Sequence, residues 1–481
     1  MISRRRTAIA VVSAGVAAIV LLFGGVLSSR PRANPLAVLA ANATPASTGQ
    51  AALSQLLQGF STGDTAGYIR GLERRVARTP GDGDTLAVLG LAYLQRARET
   101  GDPAYYGLSG RALHRAAAAG GAPPLVAQGE ASLANTRHRF AEGLRLARRA
   151  IGLDPGNGSA LGALGDALLN LGRYEQAFRV YDRMAVVAPG IASFTRVANA
   201  RELTGRPEAA VEADELALEA DETVPENIAW TMTQIGNVRF NEGRLGAAGN
   251  AYRRALRRFP GYVHADAGLA RVEASEGRYR AAIARLRGVV ARLPIPAYVI
   301  MLGDILHASG RAAEAGREYA LVGAIEKLFA ANGVRTELQT AVFDLDHRRN
   351  VSDALARART AFESAPSVYA EDALAWGLYR AGRCEEAAAH STRALRLGTR
   401  DALLVFHHAM IERCLGSASS KAWFRRALAI NPHFSFLWAP VARAALAARG
   451  SRPDVARPVA TLTAQSPRAA AVPPLNGDSH R

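Results

Sequence analysis

Between Gly158 and Ile191 apolar and small residues recur three or four positions apart, first as Leu161, Leu164, Gly165 and Leu168, then as Tyr174, Ala177, Tyr181 and Met184. That interval is the period of an amphipathic α-helix. Gly172 falls between the two runs, so the stretch predicts two short helices joined by a tight turn. Pro189 closes the second helix, because proline has no amide hydrogen with which to extend it. Gly165 and Ala177 leave room for the helices to cross closely, and Leu164 fills the seam beside them.

The same punctuation returns along most of the chain. Turn glycines stand at Gly172, Gly205, Gly243, Gly277, Gly310, Gly382 and Gly416, at spacings of 33, 38, 34, 33, 72 and 34 residues. One repeat, from about Arg335 to Val368, lacks its glycine, and Asn350 occupies that place. Closing prolines keep the same period: Pro155 to Pro189 and Pro260 to Pro294 are each 34 residues, and Pro366 to Pro432 is 66. Extra residues near Asp221 to Asn227 fall between repeats, where loops tolerate them. Gly236 and Gly303 repeat the place of Gly165, as Ala248, Ala282 and Ala315 repeat that of Ala177. About ten repeats are predicted from Gly83 to Phe434, after a degenerate helix pair at Ala51–Gly59 and Thr65–Arg78. A last amphipathic helix, Phe436 to Arg449, can cover the open face of the final repeat, which a stacked array requires.

Leu164-Gly165, Leu168, Ala177, Tyr181 and Pro189 together resemble the tetratricopeptide repeat (TPR), a helix hairpin of about 34 residues. The resemblance covers residues 51–449. It implies an all-α fold, a right-handed α-solenoid of about ten TPR hairpins with a C-terminal capping helix. Layout and composition are similar to those of membrane-anchored TPR proteins of high-G+C bacteria. The expected function is a scaffold that binds a protein or peptide partner, with no cofactor, no metal and no catalysis.

In such repeats positions two, five, nine, twelve and thirteen of the first helix line a concave groove. Carried over, the ninth position gives Asp166, Asn199, Asn237, Arg271, Asp304, Phe343 and Trp376, and the twelfth adds Phe240, His307, Asp346 and Tyr379. Amides and carboxylates that fix a ligand backbone, with aromatics for contact area, are what a peptide groove needs. The same residue types would serve equally well in packing against neighbouring helices. Some TPR domains grip a peptide carboxylate with a set of Lys, Asn and Arg residues. Asn237 has a matching place, but Thr233 and Gly268 stand where other members are required, so that clamp is absent.

The amino terminus follows a different pattern. Arg4, Arg5 and Arg6 precede an uncharged run from Thr7 to Ser29, long enough to cross a bilayer as a helix. The leading arginines favour a cytoplasmic amino terminus and an exported remainder. Residues 1–29 are therefore read as a single membrane anchor, the alternative being a signal peptide cleaved near Val26-Leu27-Ser28. Residues 30–50, rich in Pro, Ala, Ser, Thr and Asn, read as a flexible linker, and residues 450–481 as a disordered Pro- and Ala-rich tail.

Composition narrows the function further. Hydrophobic residues make up 49% and charged residues 21%, as in a folded protein. The net charge of +17 comes almost wholly from arginine, Lys327 and Lys421 being the lysines. The excess is spread through every repeat, with no basic stripe, so nucleic acid is not expected as a partner. His407 and His408 are adjacent but read as packing residues, with no closely spaced Cys/His set. Repeats and cap consume residues 51–449, leaving no catalytic core. Assembly of an envelope complex, or adaptor duty in the cytoplasm if the chain is not exported, are the remaining functional alternatives.

The two cysteines add one expectation. Cys384 falls at the start of a second helix and Cys414 near the end of the next first helix, places that face each other in antiparallel neighbours. In an exported chain this fits a disulfide, which closing such a loop makes worth roughly 3–4 kcal/mol. Two unrelated buried thiols fit the sequence as well.

Overall fold

The computed structural model describes residues 53, 55–57, 60, 64–220 and 224–447. Among them the chain is helical, without strands. After α1 (Thr65–Arg78) come ten hairpins of a first and a second helix: α2 (Gly83–Thr100) with α3 (Ala104–Ala118), α4 (Pro123–Thr136) with α5 (Phe140–Leu153), α6 (Gly158–Asn170) with α7 (Tyr174–Val187), α8 (Ile191–Leu203) with α9 (Pro207–Ala220) and α10 (Pro225–Asn241) with α11 (Leu245–Arg258). The second half continues as α12 (Val263–Ser275) with α13 (Tyr279–Arg292), α14 (Pro296–Ala308) with α15 (Ala312–Ala331), α16 (Glu337–Asp346) with α17 (Val351–Ser364), α18 (Val368–Arg380) with α19 (Cys384–Ala394) and α20 (Ala402–Cys414) with α21 (Ser420–Ile430). The capping helix is α22 (Trp438–Ala447). The molecule is an all-α solenoid.

Local chemistry sets these boundaries. Several first helices begin on a side chain that accepts from free amides: Asp82 from Thr85 N, Asn157 from Ala160 N, Ser367 from Ala370 N, and Asp401 from Leu403 N and Leu404 N. Second helices end where a proline follows, since the residue before proline is pushed to extended backbone. Asp154, Phe259 and Asn431 show this, with ψ of 93°, 93° and 110°.

Two departures from the regular period have physical causes. The wide glycine gap holds four more residues than two periods of 34, and α15 absorbs them: it runs 20 residues where α13 and α17 run 14. In the same gap Arg348, not Asn350, takes the place of the turn glycine. It directly follows the cap of α16 and has φ of 54°, while Asn350 lies two residues on, capping α17 at φ 43°. His138 (φ 57°) fills the equivalent place after α4.

Within a hairpin the close crossing rests on a glycine and a tyrosine. A Cβ placed on Gly165, Gly236 or Gly303 would overlap the ring of Tyr181, Tyr252 or Tyr319 respectively, each from the second helix of the same hairpin. The room left by the eighth-position glycine is thus filled by an aromatic ring. Ala177, Ala248, Ala282 and Ala315 are fully buried behind it.

Successive turns of the solenoid also touch. The tip of one hairpin rests on the loop eleven helices further along: α4–α5 on α15–α16, α6–α7 on α17–α18, α8–α9 on α19–α20 and α10–α11 on α21–α22. Arg335 N donates to Arg137 O at 3.1 Å, and His138 Nδ1 lies 2.6 Å from Arg335 O. Val368 N donates to the Tyr174 hydroxyl at 2.6 Å, and Asn431 Nδ2 to Phe240 O at 2.8 Å. Arg98 and Glu226 form a further cross-turn pair at 2.9 Å.

The turn glycines divide accordingly. Gly172 and Gly205 (φ 70° and 74°) abut Pro366 O and Gly398 O, whereas Gly277, Gly310, Gly382 and Gly416 face open space. Gly277→Ala is expected to cost about 1–2 kcal/mol for left-handed backbone alone. Gly205→Ala adds overpacking of about 1–3 kcal/mol against the next turn. Urea midpoints of the two variants measure the difference, and equal midpoints would contradict contact between turns.

Candidate functional site

The concave wall is built by the first helices, and its ninth positions are held from below. The Tyr181 hydroxyl donates to Asp166 Oδ1 at 3.0 Å, Tyr252 to Asn237 Oδ1 at 2.8 Å and Tyr319 to Asp304 Oδ1 at 2.7 Å. Burial raises all three phenols, so each remains a donor. The tyrosine that fills the glycine notch therefore also fixes the polar side chain next to that glycine.

Each of these groups then reaches the following hairpin. Arg196 clasps Asp166 through Nε (2.9 Å) and Nη2 (2.8 Å), with both side chains buried. Arg271 Nη2 lies 3.3 Å from Asn237 Oδ1 and 3.2 Å from the Tyr252 hydroxyl, with its guanidinium 3.8 Å above the Phe240 ring. His347 Nε2 bonds Asp304 Oδ1 at 2.9 Å while its ring packs on Phe343. Trp376 Nε1 donates to Asp346 at 3.0 Å, and His407 bonds Asp372 at 2.8 Å. In each of these five pairs a carboxylate or amide of one hairpin accepts from a donor of the next.

These staples account for most of the eleven groove candidates. Asp166, Asn199, Phe240, Phe343 and Trp376 are buried, and Asn237, Arg271, Asp304, His307, Asp346 and Tyr379 are half-buried. The structure brings Asp304 and Phe343 together through His347, and Asp346, Trp376 and Tyr379 into one cluster. Asn199 and His307 stand apart from both, the Nδ1 of His307 buried without an acceptor or donor. Arg196, His347, Asp372 and Trp438 belong to the wall but were not among the candidates. The spacing that signals the hairpin part of the pattern is visible in the sequence: Gly165-Asp166, Gly236-Asn237 and Gly303-Asp304 each have a tyrosine fifteen residues after the acid or amide.

The last three hairpins carry the densest cluster. Trp376 stacks on Tyr379 at 4.9 Å and on His407 at 4.1 Å. From α22, Trp438 enters the same wall, edge-on to Trp376 at 5.4 Å, stacked with Phe406 at 5.7 Å, and donating to Asp346 at 3.0 Å. The capping helix therefore covers part of the concave face as well as the end. Beside this cluster Cys384 and Cys414 are joined, with Cα atoms 6.2 Å apart. Among the described residues no group of three His, Cys, Asp or Glu side chains is placed to hold a metal ion.

Ten stacked hairpins with this crossing define a helical-repeat solenoid, and the family follows from the sequence of those hairpins. The tetratricopeptide repeat family profile matches residues 134–202 and 240–298, so these stretches carry TPR repeats. No curated protein sequence matches it. Among solved structures the MamA protein is 17% identical, with 35% of this chain and 91% of that one covered at a TM-score of 0.27. YrrB, described as a TPR protein with an unusual peptide-binding site, is 19% identical over 38% of this chain and 91% of its own, at 0.28. The hetero-tetramer of Cut9 and Hcn1 from the APC/C is 13% identical over 86% of this chain and 97% of the matched one, at 0.31. The fold assignment rests on the hairpins and the profile match, not on these likenesses.

Removing one partner of the Asp166–Arg196 pair leaves a buried charge. Arg196→Ala should cost about 3–5 kcal/mol, while Asp166→Leu combined with Arg196→Met should recover most of that loss. A denaturant-midpoint cycle decides, and a single variant as stable as the wild type would remove the pair from the argument.

His347 supplies a pH dependence. Burial pushes its pKa down, but the Asp304 hydrogen bond, the charges of Asp304 and Asp346 and the Phe343 carbonyl together raise it above 6.5. A group whose folded pKa is raised adds stability that is complete below the unfolded value and lost as pH rises through the folded one. Stability should therefore fall between about pH 6 and pH 8, and His347→Gln should flatten that slope in urea titrations at stepped pH.

Proposed function

We propose that this protein is a membrane-tethered, extracytoplasmic scaffold that holds a protein or peptide partner on its TPR superhelix. TPR repeats are generally binding modules rather than catalysts, and the profile match supports that class here. The observation that carries the binding reading is the free edge of the last hairpins. The tips of the early hairpins are covered by the next turn, whereas those at Gly382 and Gly416 are open. Tyr379 stands on this edge, half-buried and stacked on Trp376. Tyr379, held rigid against the buried Trp376, offers aromatic contact area on an uncovered rim at low entropic cost.

Export is supported by two features. The uncharged run of residues 7–29, which lies outside the described residues, follows three arginines. Among the described residues no helix is long and apolar enough to cross a membrane. The chain's two cysteines, Cys384 and Cys414, are bonded to each other, as suits an oxidising compartment.

Fusion of a periplasm-active reporter after Arg449 tests the topology: an active reporter is expected, and a silent one favours the cytoplasmic adaptor. A photoreactive residue at Tyr379 should capture a protein partner that the same residue at exposed Arg179 does not. In protein recovered from cells, alkylation before reduction should leave both cysteines unlabelled. Cys384→Ser should then lower stability by about 3–4 kcal/mol, read from urea midpoints.

A further inference from the structure

Three arginines stand at or just beyond the ends of the first helices in three successive hairpins of the open edge. Arg348 follows the cap of α16, Arg380 is the last residue of α18, and Arg413 is the last but one of α20. Burial raises the Tyr379 hydroxyl, and the charges of Arg380, Arg413 and Arg348, in that order, act against the rise. The Cys384–Cys414 bond ties the start of α19 to the end of α20 and so keeps Arg413 against the α18–α19 turn that carries Arg380.

Among the described residues no carboxylate lies within ion-pair distance of Arg348, Arg380 or Arg413, in contrast to Arg357 and Arg383 on the same hairpins, which pair with Asp344 and Glu386. Arg380 is the most constrained. Its guanidinium carbon lies 5.4 Å from the Trp376 ring and 5.6 Å from the Trp438 ring, with Nε and Nη2 buried and without an acceptor. Burial, and then Arg348 beside it, press it down to about 10. Asp346, the nearest acid, accepts from both indoles, and burial raises its carboxyl. Asp346 is thus occupied as an indole acceptor and does not neutralise the cluster.

We propose that Arg348, Arg380 and Arg413, with the Tyr379 hydroxyl, form a binding site for a carboxylate-bearing peptide segment of the partner. The proposal rests on the scaffold reading and names the chemistry of what the open edge holds. The exposed Arg348 guanidinium can meet a carboxylate bidentately, Arg380 and Arg413 add positive charge behind it, and half-buried Tyr379, backed by the buried Trp376, gives the rest of the segment an apolar seat. The site differs in residues and place from a Lys/Asn clamp on the inner wall. It lies at the ends of the first helices, and its cations are all arginines.

The test uses the full chain in non-ionic detergent and an acetylated, amidated tetra-aspartate peptide, with the tetra-asparagine peptide as neutral control. Emission from Trp376 and Trp438 reports binding. The acidic peptide should give a saturable change that weakens with added salt, and the amide peptide none. Arg380→Gln should lower affinity about tenfold or more, and Arg348→Gln and Arg413→Gln about threefold or more each. Arg359→Gln, on the outer face of α17, should leave it unchanged. Should Arg380→Gln fail to fold, the exposed Arg348 decides. Equal affinity in all variants, equal binding of the amide peptide, or binding to phosphatidylglycerol vesicles in place of the peptide each overturns the proposal. Partner capture at Tyr379 that persists in the Arg348→Gln, Arg413→Gln double variant would sink the carboxylate site while leaving the scaffold reading standing.

Discussion

In three of the hairpins the close crossing of the two helices depends on a tyrosine ring lying against the α-carbon of a glycine. Tyr181 on Gly165, Tyr252 on Gly236 and Tyr319 on Gly303 show it in three hairpins. A methyl group at the glycine would enter the ring, so the two helices could not keep their distance. Tyr252 is gripped from both sides, since Gly268 of the next hairpin approaches the same ring. The contact within a hairpin and the contact between hairpins are therefore set by one side chain. In a solenoid each unit touches only its neighbours, and the step between units decides the curvature. Here the step is short enough that the chain returns over itself after eleven helices.

That return changes what the inner wall is for. In an open superhelix the ninth-position side chains would face solvent and wait for a ligand. In this one the tyrosine hydroxyl and the following hairpin take up hydrogen-bonding capacity of Asp166, Asn237 and Asp304. Where the two turns meet, Glu202 and Asp401 influence each other, and both carboxyls are raised, chiefly by burial. Asn241 donates to Glu202 at 2.9 Å, and Asp401 caps α20. Such groups are committed to holding the coil. What the coil leaves uncommitted among the described residues is its last edge, where the turns at Gly382 and Gly416 are uncovered.

The period was legible because turns and stops are backbone requirements written into single residues. A left-handed turn residue and a helix-ending proline leave marks at fixed intervals, and ten hairpins stand where those marks place them. Even there Arg348 escaped notice, since arginine can be held left-handed once its neighbours are packed, and nothing in its side chain announces it. The inner wall was legible only by position. The residues lie on the concave side, but their partners Arg196 and His347 come from the neighbouring hairpin at offsets of 30 and 43 residues, with no shared spacing. Contacts between Arg137 and Arg335, or Phe240 and Asn431, were out of reach altogether. They depend on rotation accumulated over five or more hairpins, a sum of small angles that no local pattern encodes.

The same sum explains why polar staples sit at the joints. A buried ion pair such as Asp166–Arg196 does little for stability, because desolvation offsets most of the attraction. Apolar contacts would hold neighbouring hairpins equally well, but they are non-directional and allow a helix to roll by several degrees. Rolling of that size at each joint, repeated along α4 to α15, would carry the Arg137 carbonyl past the Arg335 amide it accepts from. A bidentate clasp at 2.8 and 2.9 Å permits far less rotation, since both nitrogens lose their acceptors together. Bonds from Arg271 to Asn237 and from His347 to Asp304 add the same restriction at later joints. Directional bonds at the joints thus convert a flexible stack into a coil of defined pitch, and the pitch is what leaves one edge covered and the other open.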